Sequence, residues 1–313
     1  TLVTSLNAAP SVWLTVGYYV VLLVWMSRQL SRRVKLGITG VAVAVTAVIL
    51  LAQHETVVEI TALDLRDGMA VFVNLPGEQH DFLIDGGGLW SGERVVVPFL
   101  RGQGVDRLEA LVLTRNNKAH AAGLTAVAQA IPVQRVLHNG TYALSKYFWD
   151  WLATARRQHL ENGALRADGE WRVTGDFRWR VLHPQVPFSG GRRSDNNSVV
   201  LLMEYGPTRV LLTSDIGQSV EHFLVAGKVD LRAQILVKGR HSTEPTGSDE
   251  FLDAVQPAAA VQVVNTEPSS RYLEPALRDR LRQRQILLYR TDEIGAVTIR
   301  LKQTGYEICP RTR

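Results

Sequence analysis

The long uninterrupted apolar runs of this chain are confined to its first fifty or so residues, and that asymmetry limits what it can fold into. Val12 to Met26 reads VWLTVGYYVVLLVWM, and with Leu6 to Pro10 ahead of it the segment reaches about 20 residues, enough for the roughly 30 Å hydrocarbon core of a bilayer. A second run, Leu36 to Ala52 (LGITGVAVAVTAVILLA), is about 17 residues, at the short end of that range. Neither run carries the polar face that a surface helix needs, which leaves two transmembrane helices, at about 6–26 and 36–52, or two buried core helices. Between them Arg28, Arg32, Arg33 and Lys35 crowd a short loop. The positive-inside bias puts that loop in the cytoplasm, so the second helix runs outward and everything after Gln53 lies on the outer side of the membrane. Residues 1–53 therefore read as membrane segments and 54–313 as a soluble domain.

After His54 short β-rich stretches alternate with helical ones. Val57 to Leu63 and Met69 to Asn74 read as strands around an Arg66-Asp67-Gly68 turn, and Asp81 to Asp85 as a strand ending in Gly86-Gly87-Gly88. Helical patterns cover Ala121 to Ala130, Tyr147 to Leu160, Gly217 to Ala226, Ser248 to Val255 and Leu273 to Arg284. The strands between them include Ala110 to Leu113, Val199 to Glu204, Val210 to Thr213, Ile235 to Val237, Ala259 to Val264 and Ala296 to Leu301. Phe177 to Val181 alternates strictly, as a half-buried antiparallel strand does. Two sheets with helices outside, an αββα sandwich, is one layer solution for such a mixture, although pattern alone does not choose it over other α/β folds.

Charge and cysteine content narrow the chemistry. The formal net charge is +5 and the pI about 9.5, a bias that helps contact with phosphate or anionic lipid without proving either. The one cysteine, Cys309, can build neither an internal disulfide nor a thiolate metal site, so any metal needs His and carboxylate ligands. The chain opens on Thr1 with no charged segment ahead of its first apolar run, which predicts an internal fragment of a longer protein and no signal peptide.

An ordered series of motifs carries a family resemblance. Leu63-Asp64-Leu65-Arg66-Asp67-Gly68-Met69 resembles an L-D-V-G-Q-G-D turn; Leu83-Ile84-Asp85-Gly86-Gly87, Gly92 to Leu100 and Leu108 to Thr114 follow. Val181-Leu182-His183-Pro184, Asp195 to Val200, Leu211 to Ile216 and Tyr289-Arg290-Thr291-Asp292 complete it. Collinear over about Val57 to Leu301, these resemble the C-terminal part of ComEC-type DNA-internalisation proteins, and the two upstream helices are similar to the end of that family's membrane domain. The resemblance implies a metallo-β-lactamase-like αββα sandwich preceded by two transmembrane helices in a bacterial cytoplasmic (inner) membrane. It also implies passage of single-stranded DNA during natural transformation, with the rest of the competence machinery and membrane lipid as partners.

The resemblance also marks what is missing. Nuclease-like members read like T-H-P-D-A-D-H-x-G-G where this chain reads Thr114 to Gly123: Arg115 replaces a His, Asn117 and Ala119 replace carboxylates, and only His120 matches. A V-P-H-H-G-S-like cluster is matched by Lys238-Gly239-Arg240-His241-Ser242, with Arg240 in place of the first His. An R-Y-G-H-P-H-like cluster has become Arg271 to Ala276, with Glu274 and Ala276 in place of both His. Asp215 matches the metal-bridging carboxylate. His120, Asp215 and His241 thus remain of a set that holds one or two ions while leaving a position open for an activated water. Fixed positive charge at Arg115, Lys118 and Arg240 disfavours a divalent cation, so no catalytic residue, metal or cofactor is assigned; zinc or manganese would belong to an active nuclease. Arg115 or Arg240 is expected to pair with Asp215 or Glu274, a salt bridge in place of the ion, unless these arginines simply face solvent.

Arg115, Lys118, Lys238 and Arg240 are candidate phosphate contacts for a single strand, extended by Arg192 and Arg193. Tyr147, Phe148, Trp149 and Trp151 stand at helical spacing and read as core before stacking platform. His183 and the strand-end groups Asp64, Asp85 and Asn197 read as structural. Three functions stay open: a non-catalytic outer domain of a DNA-uptake channel, an active metal-dependent nuclease, and an interaction domain without a DNA role.

Overall fold

The computed structural model describes residues 12–27, 30–52, 57–76, 80–141, 145–167, 169–185, 194–240, 243–264 and 275–311. The chain divides into two units, residues 1–56 with 101–104, and residues 57–100 with 105–313.

In the first unit, α1 (Val12–Met26) and α2 (Arg32–Ala52) coincide with the two apolar runs. Arg32, Arg33 and Lys35 open α2 and do not lie in a loop, while Arg28 and the Leu6 to Pro10 extension fall outside the described residues. The helices are joined by polar contacts: Trp25 Nε1 donates to Thr39 Oγ1 at 3.0 Å, and Lys35 Nζ to the carbonyl of Trp25 at 3.0 Å. Among the described residues no helix is long and apolar enough to cross a membrane.

The second unit begins with β1 (Val58–Ala62), β2 (Val71–Asn74) and β3 (Phe82–Ile84). A continuous helical stretch follows, with α3 (Leu89–Ser91), a π-helical turn over Gly92–Val96, and α4 (Val97–Gly102). Next come β4 (Leu108–Leu113), α5 (Lys118–Ala130), β5 (Val133–His138), α6 (Lys146–Arg157) and β6 (Glu161–Ala164). Then β7 (Glu170–Thr174), β8 (Phe177–His183), β9 (Val200–Tyr205), β10 (Thr208–Ser214) and α7 (Gln218–Ala226) lead to β11 (Ile235–Lys238) and α8 (Asp249–Val255). The chain closes with β12 (Ala259–Gln262), α9 (Pro275–Gln283), β13 (Leu287–Arg290), α10 (Thr291–Ile294), β14 (Val297–Lys302) and β15 (Gly305–Pro310).

Among the described residues these strands form an eight-stranded sheet, β15-β14-β1-β2-β3-β4-β5-β6, and a seven-stranded one, β13-β12-β11-β10-β9-β8-β7. Both are mixed: β3 to β6 run parallel, as do β10 to β13, and the remaining pairs are antiparallel. The sequence shows the reason. Strands such as LVL at 111–113 and ILV at 235–237 are apolar on both faces because helices cover the outside, whereas Phe177 to Arg180 alternates where one face meets water. Three apolar layers result. One, with Ile60, Phe82, Trp179, Leu201 and Val237, lies between the sheets. A second, with Leu111, Leu124, Phe148 and Trp151, lies under α5 and α6, and a third, with Leu211, Leu224, Leu236 and Phe251, under α7 to α9. This is the αββα layering.

Candidate functional site

Strand ends from both sheets meet at one edge of the sandwich. Asp85 follows β3, Thr114 and Arg115 follow β4, and Ser214 and Asp215 lie at the end of β10. Asp85 and Ser214 turn into the left-handed region, with φ of 59° and 49°, which an L-residue adopts at a cost of about 1–3 kcal/mol. The turns are offset by what their side chains reach. Asp85 Oδ1 accepts from Thr114 N at 2.8 Å and its Oδ2 from Thr114 Oγ1 at 2.6 Å, while Thr114 Oγ1 and Ser214 Oγ stand 2.7 Å apart across the two sheets.

His120 enters from the first turn of α5. Asn117 is the N-cap of that helix, its side chain accepting from His120 N at 3.1 Å, so the amide standing where the family pattern has a carboxylate starts a helix here. The imidazole lies between two carboxylates: Nδ1 is 2.9 Å from Asp85 Oδ2 and Nε2 is 2.9 Å from Asp215 Oδ2. Arg115 Nη1 donates to the same Asp215 Oδ2 at 2.7 Å, and Asp215 Oδ1 accepts from the N–H of Arg240 at 2.9 Å. A Cβ on Gly239 would stand 2.1 Å from that Oδ1, so only glycine lets this backbone approach.

The four groups Arg115, His120, Asp85 and Asp215 form a buried ionic cluster in which two carboxylates balance two cations. Burial opposes charge on His120, but the carboxylates of Asp85 and Asp215 outweigh it and push the imidazole up to about 10. Asp215 is held well below the usual carboxylate range: burial works the other way, and His120, Arg115 and the Arg240 N–H overcome it. His120 is thus doubly protonated near neutrality and both its nitrogens point at carboxylates.

A metal does not fit these residues as they stand. Asp215 Oδ2 already accepts from Arg115 and faces His120 Nε2, and both ring nitrogens of His120 are turned to carboxylates. A divalent ion on Asp215 about 4 Å from the guanidinium would be repelled by about 8 kcal/mol at an effective dielectric constant of about 20. Among the described residues no group of three or more His, Cys, Asp or Glu side chains is arranged to hold a metal ion. His241 and Glu274 lie outside the described residues, as do Arg192 and Arg193, and Ala276 is exposed on α9.

The phosphate cleft expected from Arg115, Lys118, Lys238 and Arg240 is corrected in two members. Arg115 is 8% exposed and spent on Asp215; Lys238 is 3% exposed and donates to Thr246 Oγ1 at 2.6 Å. Lys118 and Arg240 are exposed, and Ala119 is half-buried with its carbonyl accepting from Met69 N at 3.1 Å. Phe148 and Trp151 are core, whereas Trp149 is largely exposed. His183 is buried, its Nε2 2.8 Å from the carbonyl of Asn196, and burial pushes its pKa down.

Two features were not legible as site residues. Asp85, read as strand-end structure, also holds His120; its place in the Leu83-Ile84-Asp85-Gly86-Gly87 motif was the available signal. Glu221 and Arg280 grip the loop before α8: Glu221 accepts from Gly247 N at 2.6 Å and Ser248 N at 2.8 Å, and Arg280 donates to the carbonyls of Gly247 at 2.7 Å and Thr246 at 3.0 Å. Nothing local in the sequence marks these long-range contacts.

The two-sheet sandwich is an α/β fold of the metallo-β-lactamase-like type. A CmlA β-hydroxylase variant superposes with a TM-score of 0.51 at 17% identity, over 78% of this chain and 54% of that one. Tm1679, a metal-dependent hydrolase of the β-lactamase superfamily, gives 0.46 at 14% identity, over 78% and 98%. No family model matches the chain. In sequence it is 26% identical over 261 residues to ComE operon protein 3 of Bacillus subtilis (strain 168), covering 78% of this chain and 33% of that protein. It is 30% identical over 259 residues to Competence protein ComA of Neisseria gonorrhoeae, covering 81% and 34%. Its curated homologues are competence proteins of the ComEC type, matched over about four fifths of this chain, and the chain spans about a third of their length.

Proposed function

We propose that this chain supplies the outer-side soluble domain of a DNA-uptake channel in a bacterial cytoplasmic membrane, and that the domain handles single-stranded DNA without cutting it. Relatives named for competence support the DNA link. The observation that carries the non-catalytic part is the 2.7 Å bond from Arg115 to Asp215: a guanidinium holds the carboxylate that would have to hold a metal. No zinc or manganese is needed to keep the two strand ends together, because the four-group cluster already neutralises them.

The membrane part rests on the apolar runs and on the side chains of α1 and α2. Tyr18, Leu23, Met26, Val41 and Val43 are exposed, a surface suited to lipid and ill suited to water. In this reading the helices, extended to about residues 6–26 and 36–52, anchor the domain with its bulk outside, beside the other parts of the competence machinery.

The test is metal analysis and nuclease assay of the full chain in detergent. The expected result is less than a tenth of an equivalent of zinc or manganese and no hydrolysis of a labelled single strand, together with binding of that strand that weakens with salt. One tightly bound ion per chain, with hydrolysis abolished by His120→Ala, would overturn the non-catalytic reading in favour of a nuclease. Absence of binding at low salt would leave an interaction domain with no DNA role. For the topology, a reporter fused after Ala52 is expected to be active outside the membrane; activity only in the cytoplasm rules the orientation out.

A further inference from the structure

The stretch that follows Asp85 carries an exposed indole with an arginine against its ring. Trp90 and Leu89 are 49% and 54% exposed, although they sit in the middle of a tightly packed stretch. That stretch is pressed onto α5 by glycines: a Cβ on Gly86 would stand 2.4 Å from Leu124 N, and one on Gly92 2.3 Å from Gly123 Cα. Gly86 N donates to the carbonyl of His120 at 2.9 Å, and Gly123 N to that of Gly87 at 3.0 Å. The backbone under Trp90 is thereby tied to the same helix turn that carries Lys118 and His120, while its ring is left facing outward.

One cation lies against the ring and a second on the helix turn to which this backbone is tied. The Arg66 guanidinium lies 5.4 Å from the centre of the Trp90 ring, and the Arg66-Asp67-Gly68 turn is fastened to α5 by the bond from Met69 N to the Ala119 carbonyl. Lys118, in the first turn of α5, is exposed, its ammonium 6.0 Å from the centre of the Tyr147 ring. Asp67, the carboxylate within the turn, is occupied by Ser91 Oγ at 2.5 Å. A fixed, outward aromatic face among arginine and lysine is complementary to a chain of phosphates that carries flat bases, since bases stack on such faces and phosphates follow the cations.

We propose that Trp90 is a stacking platform for a base of single-stranded DNA, with Arg66 and Lys118 holding the flanking phosphates. The proposal rests on the DNA reading above and adds the surface that carries it. Because the stretch is already ordered by its glycines, little is lost in presenting the ring.

The test compares a fluorescent oligothymidine of twenty nucleotides with an abasic oligomer of the same length, both binding the full chain in detergent at low salt. Trp90→Ala is expected to weaken oligothymidine binding roughly tenfold while leaving abasic binding unchanged, with Trp90→Phe recovering most of the loss. Arg66→Gln is expected to weaken both oligomers and to reduce the salt slope by about one. Unchanged thermal unfolding of Trp90→Ala shows that folding is not the cause. If Trp90→Ala weakens both oligomers equally or neither, stacking is wrong while the DNA reading stands. If the unsubstituted chain binds neither oligomer at low salt, the DNA reading fails with it. If Trp90→Ala instead abolishes binding to phosphatidylserine vesicles and leaves both oligomers bound, the surface belongs to lipid and the proposal is overturned.

Discussion

The two sheets of the sandwich are joined by two regions built on opposite principles. Between their faces lies an apolar layer in which Phe82 of one sheet stacks on Trp179 of the other, ring centres 5.4 Å apart and planes 18° from parallel. At their edge lies the ionic cluster, in which Arg115, just after β4, and His120, in the first turn of α5, both reach Asp215 from the other sheet. The layer gains from many weak, non-directional contacts, so losing one part leaves the rest in place. The cluster depends on every member, because a buried charge left without its partner is far more damaging than the pair was stabilising. Only the second can be changed by protons.

That contrast can be broken by experiment on the full chain, with denaturant midpoints as the measure. Trp179→Ala, which empties the layer, is expected to destabilise by about 3–5 kcal/mol and by the same amount at pH 6.5 and pH 10. A loss that varies strongly with pH would show that the two regions are coupled. Asp215→Asn leaves Arg115 and His120 facing a neutral amide and is expected to lose about 3 kcal/mol near neutrality, less as the pH rises toward 10. An effect under 1 kcal/mol would mean the cluster is relaxed by water.

The pH profile of the unsubstituted chain sharpens the same point. His120 has a folded pKa of about 10 against 6.5 for the free side chain, so the folded state holds the proton more tightly. The stability it confers is fully present below about 6.5 and is lost as the pH rises through about 10, a fall on the order of a few kcal/mol. A flat profile over that range would contradict a charged His120. The smallest expected effect is that of Arg115→Lys, about 1–2 kcal/mol, because the charge is kept while the planar fork is not.

Much of the architecture was readable along the chain, and the misses have local causes. The alternation in Phe177 to Val181 and the unbroken apolar runs near Leu111, Leu202 and Ile235 mark strands by periodicity and coverage. The strand Leu287–Arg290 has one exposed end and is too short to show a period, and Glu161–Ala164 is a polar edge, so neither carries a strand signal of its own. The helical stretch from Leu89 to Gly102 was hidden by Gly92 and Pro98, both poor helix residues, and its π turn shows that packing on α5 overrode propensity. Within the site, the motif series marked Arg115, His120 and Asp215, while two of the candidate phosphate contacts, Arg115 and Lys238, are buried against Asp215 and Thr246.

By itself the sequence determined the β-rich and helical periods, the two apolar runs, and the replacement of ligand-type residues by arginine, asparagine and alanine, all of which are properties of residue type and order. Tertiary structure alone decided which charges meet. Arg115 and Asp215 are a hundred residues apart along the chain, and two strands from different sheets must end at one edge before either can find the other. Whether an arginine faces solvent or fills the place of an ion depends on that convergence, because the strength of an ionic bond is set by distance and burial, neither of which is written in the chain.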